Sequence, residues 1–257
     1  MAIVEKNTVT NLADNEFELP VGYVDKEGTL HKTFKLREMT GEVDEAIADK
    51  KVRTNAGKIV TETIYGVLES IGTLKRLDRG VVKALSNIDR DYIMLMNYVY
   101  SIGEIIEWTE SCKFCEDKFN VELDAENIPA KFMTHDELRL IKVELANGVT
   151  HPETGEKHKE VTLSLPNGYV QEKIFLTMDK NPAEATSTML AMCTEDIKGL
   201  QNWSFDLFKK LTKKDRRVIL NAMDKVEAGV ELGTSVECPS CGAEQTAVIP
   251  FMKLLGE

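Results

Sequence analysis

Four of the five cysteines in this 257-residue chain fall in two Cys-x-x-Cys pairs, Cys112 with Cys115 and Cys238 with Cys241. Thiolates are soft donors, and one tight turn can bring two of them, spaced this way, onto a single cation. The second pair, Cys238-Pro-Ser-Cys-Gly242, has a proline inside the turn and a glycine just after it, where a positive φ costs glycine little. The first, Cys112-Lys-Phe-Cys-Glu116, has neither feature. Disulfide exchange uses the same spacing, but it lowers a thiol pKa at a helix N-terminus, and the residues after Cys241 alternate like a strand. The spacing therefore points to one structural zinc ion held by Cys112, Cys115, Cys238 and Cys241. A closed shell of four thiolates leaves no position for water or substrate, so the metal would hold structure and not catalyse. A knuckle meeting one from another chain is the other geometry that the spacing permits.

Little else in the chain suggests reactive chemistry. Cys193 stands in a helical apolar pattern and reads as a core thiol. His31, His135, His151 and His158 lie in polar, turn-like segments outside any nucleophile or metal motif, and read as solvated surface. A Gly-rich phosphate loop, a nucleophile elbow and a dinucleotide fingerprint are all missing, so the expectation is a protein without catalytic activity.

The elements that must position the cysteines repeat. The interval from Cys112 to Cys238 (238 − 112 = 126) also separates Cys115 from Cys241. At that offset Lys83-Ala-Leu-Ser-Asn-Ile-Asp-Arg90 falls on Lys209-Lys-Leu-Thr-Lys-Lys-Asp-Arg216, and Asn55, Ile71 and Leu74 fall on Asn181, Ile197 and Leu200. The weaker Cys112 knuckle thus stands at the same place as the stronger Cys238 knuckle. Upstream of Asn55 two registers compete. The preferred one matches Leu19-Pro-Val-Gly-Tyr-Val24 with Leu165-Pro-Asn-Gly-Tyr-Val170; the other matches Gly28-Thr-Leu-His-Lys32 with Gly155-Glu-Lys-His-Lys159.

The expected fold is α+β, a tandem duplication with a first repeat over 1–127 and a second over 128–257. Each repeat is a β-hairpin plus helices ending in a Cys-x-x-Cys zinc knuckle, and the two knuckles form a zinc-ribbon-like site. The first hairpin is read from Phe17-Glu-Leu19 and Thr33–Arg37, the second from Glu160–Leu165 and Lys173–Leu176. Apolar residues at helical spacing predict helices over Ala56–Leu77 and Ala183–Leu200. Further helices open at Asn87 and after Thr212, a residue suited to an N-cap three before Asp215. Tyr92–Tyr100 is apolar on nearly every side and reads as a core helix. Strands enter and leave each knuckle, at Ile105–Ser111 and Lys118–Leu123, then at Glu231–Glu237 and Thr246–Ile249.

Composition bounds the partners. The chain is 42% hydrophobic and 29% charged, as in soluble globular proteins, and its formal charge of −11 with a pI near 5.0 opposes nucleic acid as a partner. The basic group Lys209, Lys210, Lys213, Lys214, Arg216 and Arg217 reads as a solvated helix face. The start of the chain lacks the pattern of a secretory signal, and Tyr92–Tyr100 is too short to span a bilayer, so no membrane role is expected.

The Leu-Pro-x-Gly start, Leu36-Arg-Glu-Met-Thr-Gly41, Asp89-Arg-Asp-Tyr92 and the Cys-x-x-Cys pairs together resemble the baseplate-hub and tail-assembly proteins of contractile-tailed bacteriophages, T-even type, and of related injection systems. The resemblance covers about residues 17 to 123, and in the second half Leu165–Tyr169, Asp215-Arg216 and the Cys238 knuckle carry it. It implies a non-enzymatic structural or assembly role in the virion tail baseplate, or in the host cytoplasm during assembly, with hub, spike and tail-tube proteins as partners. A zinc-ribbon nucleic-acid or transcription accessory protein and a thiol-disulfide redox protein are the alternatives from other classes.

Overall fold

The computed structural model describes residues 3–7, 15–133 and 139–256. Along the chain come β1 (Ile3–Asn7), β2 (Glu16–Val24), β3 (Leu30–Leu36), α1 (Gly41–Ala48), α2 (Ala56–Val67), β4 (Leu68–Ile71), α3 (Arg79–Ala84) and α4 (Asn87–Ser101). Then follow the ribbon of β5 (Ile105–Ser111) and β6 (Lys118–Asp124), and the linking strand β7 (Pro129–Met133). The second half has β8 (Leu140–Thr150), β9 (Lys157–Ser164), α5 (Gly168–Met178), α6 (Pro182–Cys193), β10 (Thr194–Ile197), α7 (Asp206–Lys209) and α8 (Lys213–Asp224). It closes with β11 (Gly229–Val230) and a ribbon of β12 (Gly233–Glu237) and β13 (Glu244–Val248). The fold is mixed α and β, and both halves run through hairpin, two helices, short strand, two helices and ribbon.

Local chemistry fixes the matching elements in the same way. The side chains of Asn55 and Asn181 cap α2 and α6 by accepting from Lys58 N and Glu184 N, and Ser86 and Thr212 cap α4 and α8 by accepting from Asp89 N and Asp215 N. Each hairpin carries a bulge, between Glu18 and Tyr23 in β2 and between Glu144 and Val149 in β8. Gly22 and Gly148 take positive φ there, +89° and +83°, and a Cβ at either would lie 2.8 or 2.7 Å from the carbonyl oxygen of His31 or His158. Only glycine fits such a position.

A buried aspartate locks each bulge to a helix start. Asp89 accepts from Val21 N at 2.7 Å, from Gly22 N at 3.1 Å and from the Ser86 hydroxyl at 2.8 Å. Asp215 accepts from Asn147 N at 3.0 Å and from the Thr212 hydroxyl at 2.8 Å. Asp89 lies deep in the molecule, and desolvation pushes its carboxyl up. Burial acts the same way on Asp215, but hydrogen bonds from Asn147, Thr212 and Ala146 outweigh it and hold that carboxyl below the usual range.

Two cores result. The first joins the sheet β2-β3-β4 to α2 and α4, and α4 is buried on nearly every side from Tyr92 to Val99. Phe34, Tyr92 and Phe132 stack edge to face within it. Residues of the last ribbon and the C-terminal turn, among them Ala247, Ile249, Leu254 and Leu255, pack into this first core although they belong to the far end of the chain. The second core lies among β8, β9, β10, α6 and α8. Strand β7 pairs with β1 on one side and β11 on the other, tying chain start, middle and end together.

Several sequence expectations are corrected here. The helices expected over Ala56–Leu77 and Ala183–Leu200 end at Val67 and Cys193, where Leu68 and Thr194 turn extended. The apolar spacing continues beyond those ends because Leu68, Ile71, Thr194 and Ile197 bury one face of short strands. The second hairpin is β8-β9; Lys173–Leu176 belongs to α5, whose start is set by the Asn167 cap that accepts from Val170 N. Leu19–Val24 lies in a strand and Leu165–Val170 runs into a helix, so the preferred upstream register is wrong. Gly28–Lys32 and Gly155–Lys159 instead occupy the same turn and strand start of the two hairpins.

Candidate metal centre

The two ribbons end in two turns built on one plan. Cys112 N donates to Asp117 O at 2.8 Å and Glu116 N to Cys112 O at 3.0 Å; Cys238 N donates to Ala243 O at 3.0 Å and Gly242 N to Cys238 O at 2.9 Å. Both turns need a residue in the left-handed region: Gly242 in one (φ +70°), Glu116 in the other (φ +65°). The first knuckle thus reaches its geometry without the glycine that made the second legible.

The turns face each other. The Sγ atoms of Cys112, Cys115, Cys238 and Cys241 all lie within 4.8 Å of one another, with 3.7 Å between Cys112 and Cys241 and 3.7 Å between Cys115 and Cys238. Four sulfurs at a tetrahedral metal–sulfur distance of about 2.3 Å would stand about 3.8 Å apart, so the donor set has the size such an ion requires. Cys112 and Cys238 are buried while Cys115 and Cys241 are exposed, so each turn supplies one inner and one outer sulfur. Backbone N–H groups aim at the sulfurs: those of Cys115 and Phe114 at Cys112, that of Asp117 at Cys115, that of Ala243 at Cys241.

These contacts pull in opposite directions without a cation. The N–H groups of Cys115 and Phe114 lower the Cys112 thiol to about 6. The Asp117 N–H favours the Cys115 thiolate too, but burial and the sulfurs of Cys112, Cys241 and Cys238 prevail and push it up to about 12. Four neighbouring thiolates repel one another, and a dication at their centre removes the conflict. The residues present fit a tetrahedral thiolate-bound metal ion; its chemistry there would be to hold the two ribbon ends together.

A bridge outside the cysteines sets the distance between the turns. Gln245 of β13 is buried; its Oε1 accepts from Lys113 N at 2.8 Å and its Nε2 donates to Ser111 O at 3.2 Å. Lys113 stands where the other turn has Pro239, and a proline there would have no N–H for Gln245. The sequence reading missed Gln245, and no local pattern marks it; only the Lys113-for-Pro239 difference hints that the first turn has a partner.

Other candidates fall in different places. Cys193 lies in the second core, where burial pushes its thiol up to about 12. Two histidines read as solvated are buried: His31, whose Nε2 is 2.8 Å from Asp25 Oδ2, and His158, whose Nδ1 is 3.1 Å from Lys198 O. Their turn-like surroundings are polar, but the rings fold back over Gly72 and Gly199, where a Cβ would lie 2.5 and 3.1 Å from the two Nδ1 atoms. His151 is half-buried, with Nδ1 accepting from Glu153 N and Thr154 N, and His135 lies outside the described residues. The basic group from Lys209 to Arg217 is largely exposed, as expected. No helix among the described residues is long and apolar enough to cross a membrane.

A mixed α and β fold whose two ribbons end in facing Cys-x-x-Cys turns brings four cysteines together where they could hold a metal ion. Residues 12–253 match the family model of the T4 bacteriophage base plate protein, and the chain belongs to that family. Neither a curated protein nor a solved structure matches it.

Proposed function

We propose that the protein is a non-enzymatic structural or assembly component of the hub of a contractile phage tail baseplate, closed by one zinc ion on Cys112, Cys115, Cys238 and Cys241. The observation that carries the reading is the four-sulfur cluster formed by ribbon ends from both halves of a base plate family chain. Zinc suits a tetrahedral all-thiolate set with no open position, and such a site stabilises without reacting. The chain is read as a tandem duplication, 1–127 and 128–257, with the metal of a zinc-ribbon-like site as the clasp between repeats. Shared element order, matching caps, matching bulges and matching left-handed turn residues support that reading.

Hub, spike and tail-tube proteins are the proposed partners, and the virion tail baseplate, or the host cytoplasm during assembly, is the proposed location. The acidic balance favours basic partner surfaces and opposes nucleic acid. Deleting the gene from its phage tests the role: tails should fail to form complete baseplates, as seen by electron microscopy of lysates. Normal, infectious tails from the deletion would contradict it.

A further inference from the structure

Arg90 and Arg216 hold the same place in the two halves, but only one of them is covered. Arg90 Nη2 donates to Gly57 O at 3.2 Å, and Arg216 Nη2 donates to Ala183 O at 3.1 Å. Around Arg90, the starts of α2 and α4 with α3 form a socket that receives α5. Gln171 Oε1 accepts from Arg90 Nη2 at 3.0 Å, Glu172 pairs with Lys83 at 3.0 Å, and Asn55 Nδ2 donates to Glu172 O at 2.9 Å. Gly168 completes the contact, since a Cβ there would lie 2.6 Å from Arg90 Nη1. Gly168, Gln171 and Glu172 are spaced i, i+3, i+4 and so share one helix face.

The second half sets the equivalent residues Asn181, Ala183, Lys209 and Arg216 around an uncovered socket, with α8 held less closely to α6 than α4 is to α2. Asn181, Ala183 and Lys209 are exposed and Arg216 is half-exposed. In the first half the helix equivalent to α5 is α1. Both follow the second strand of their hairpin, with Leu36–Gly41 matching Leu163–Gly168; Val43 and Val170 are buried at matching positions, and α5 also buries Gly168, under Arg90. By that match Gly41, Asp44 and Glu45 take the places of Gly168, Gln171 and Glu172, and all three are exposed. A Cβ at Gly41 would meet nothing within 4 Å and its φ is not positive, so nothing inside the chain calls for glycine there. The two faces also carry charges that can pair: Glu42, Asp44 and Glu45 mark the exposed face of α1, while Lys209 and Arg216 stand at the open socket, with the exposed carboxylates of Glu184 and Asp206 beside Lys209.

We propose that α1 of one copy docks in the α6–α8 socket of the next, head to tail, as α5 docks on the first half within a single chain. Asp44 and Glu45 meet Arg216 and Lys209, Lys209 leaving its exposed partner Asp206, and Gly41 lets Arg216 approach the helix start. Such a contact is heterologous, so it extends beyond a dimer to a ring or an open row. Its footing is the match between the two sockets; neither the metal nor the baseplate role enters it.

Sedimentation or light scattering of the full chain at low salt, over a range of concentrations, tests it. The wild type should exceed monomer mass and dissociate as salt rises. Glu45→Lys and Lys209→Glu, both at exposed positions, should each weaken association about tenfold or more by placing like charges face to face. Their equimolar mixture, and a chain carrying both changes, should assemble again, and Gly41→Trp should block assembly with its far-UV circular dichroism unchanged. A wild type that stays monomeric throughout overturns the proposal. So does assembly that both Glu45→Lys and Gly41→Trp leave untouched, since the occupied surface would then be another one.

Discussion

Glu116 and Gly242 occupy the same position in two equivalent turns, and a side chain is costly in the left-handed conformation both adopt. Glu116 is exposed, so Glu116→Gly should raise stability by about 1 kcal/mol in denaturant titration, whereas Gly242→Glu should lower it by a similar amount. The paired aspartates give a second contrast. Asp89→Ala strands two buried N–H groups, of Val21 and Gly22, and should cost about 3 kcal/mol or more; Asp215→Ala, where desolvation is weaker, should cost about 1–2 kcal/mol. The Asp215 carboxyl titrates lower in the folded chain than in the unfolded one, where it lies at about 3.9. Its contribution is therefore fully present above the unfolded value and disappears as pH falls through the folded value. Asp215→Asn should flatten the acid limb of the stability–pH curve below about pH 4.

At the scale of elements, Gln245 couples the two ribbons through the backbone of the first turn. Lys113→Pro removes the N–H it accepts from, and Gln245→Ala removes the acceptor; each should cost about 1–3 kcal/mol. Combined, the two should cost less than the sum of the single changes, because both remove the same bond from Lys113 N to Gln245 Oε1. Periodicity made the α4 core helix, its start at Asn87 and the strands around each knuckle legible in the sequence, because each is set by local residues and alternation; the Ser86 cap itself was not read. The ends of α2 and α6 were hidden, since Val67, Leu68 and Ile71 bury equally well on a helix stripe or along a strand. The β8-β9 hairpin was hidden for another reason: its bulge at Gly148 breaks the alternation that marks a strand, and a Leu-Pro-x-Gly likeness drew the register elsewhere. The four cysteines could be read as one site because the interval between the knuckles equals that between the caps. Gln245 and the buried histidines could not, because long-range packing alone decides their burial.

For the whole molecule, the ribbon of β12 and β13 matters most, since it comes from the far end of the chain yet packs on the first core and faces the first knuckle. A metal there would close the chain over itself, with the pairing of β7 to β1 and β11 as a second tie. Removing the metal with a chelator under reducing conditions should loosen both ribbons before either core, seen as faster amide exchange in β5–β6 and β12–β13 than in α4. The central claim is the four-thiolate metal site, and elemental analysis of the purified, reduced protein beside its native mass tests it most directly. The account predicts about one zinc per chain, lost from both Cys115→Ser and Cys241→Ser variants. Protein that is folded, reduced and metal-free, or that keeps its zinc when either knuckle is changed, would contradict it.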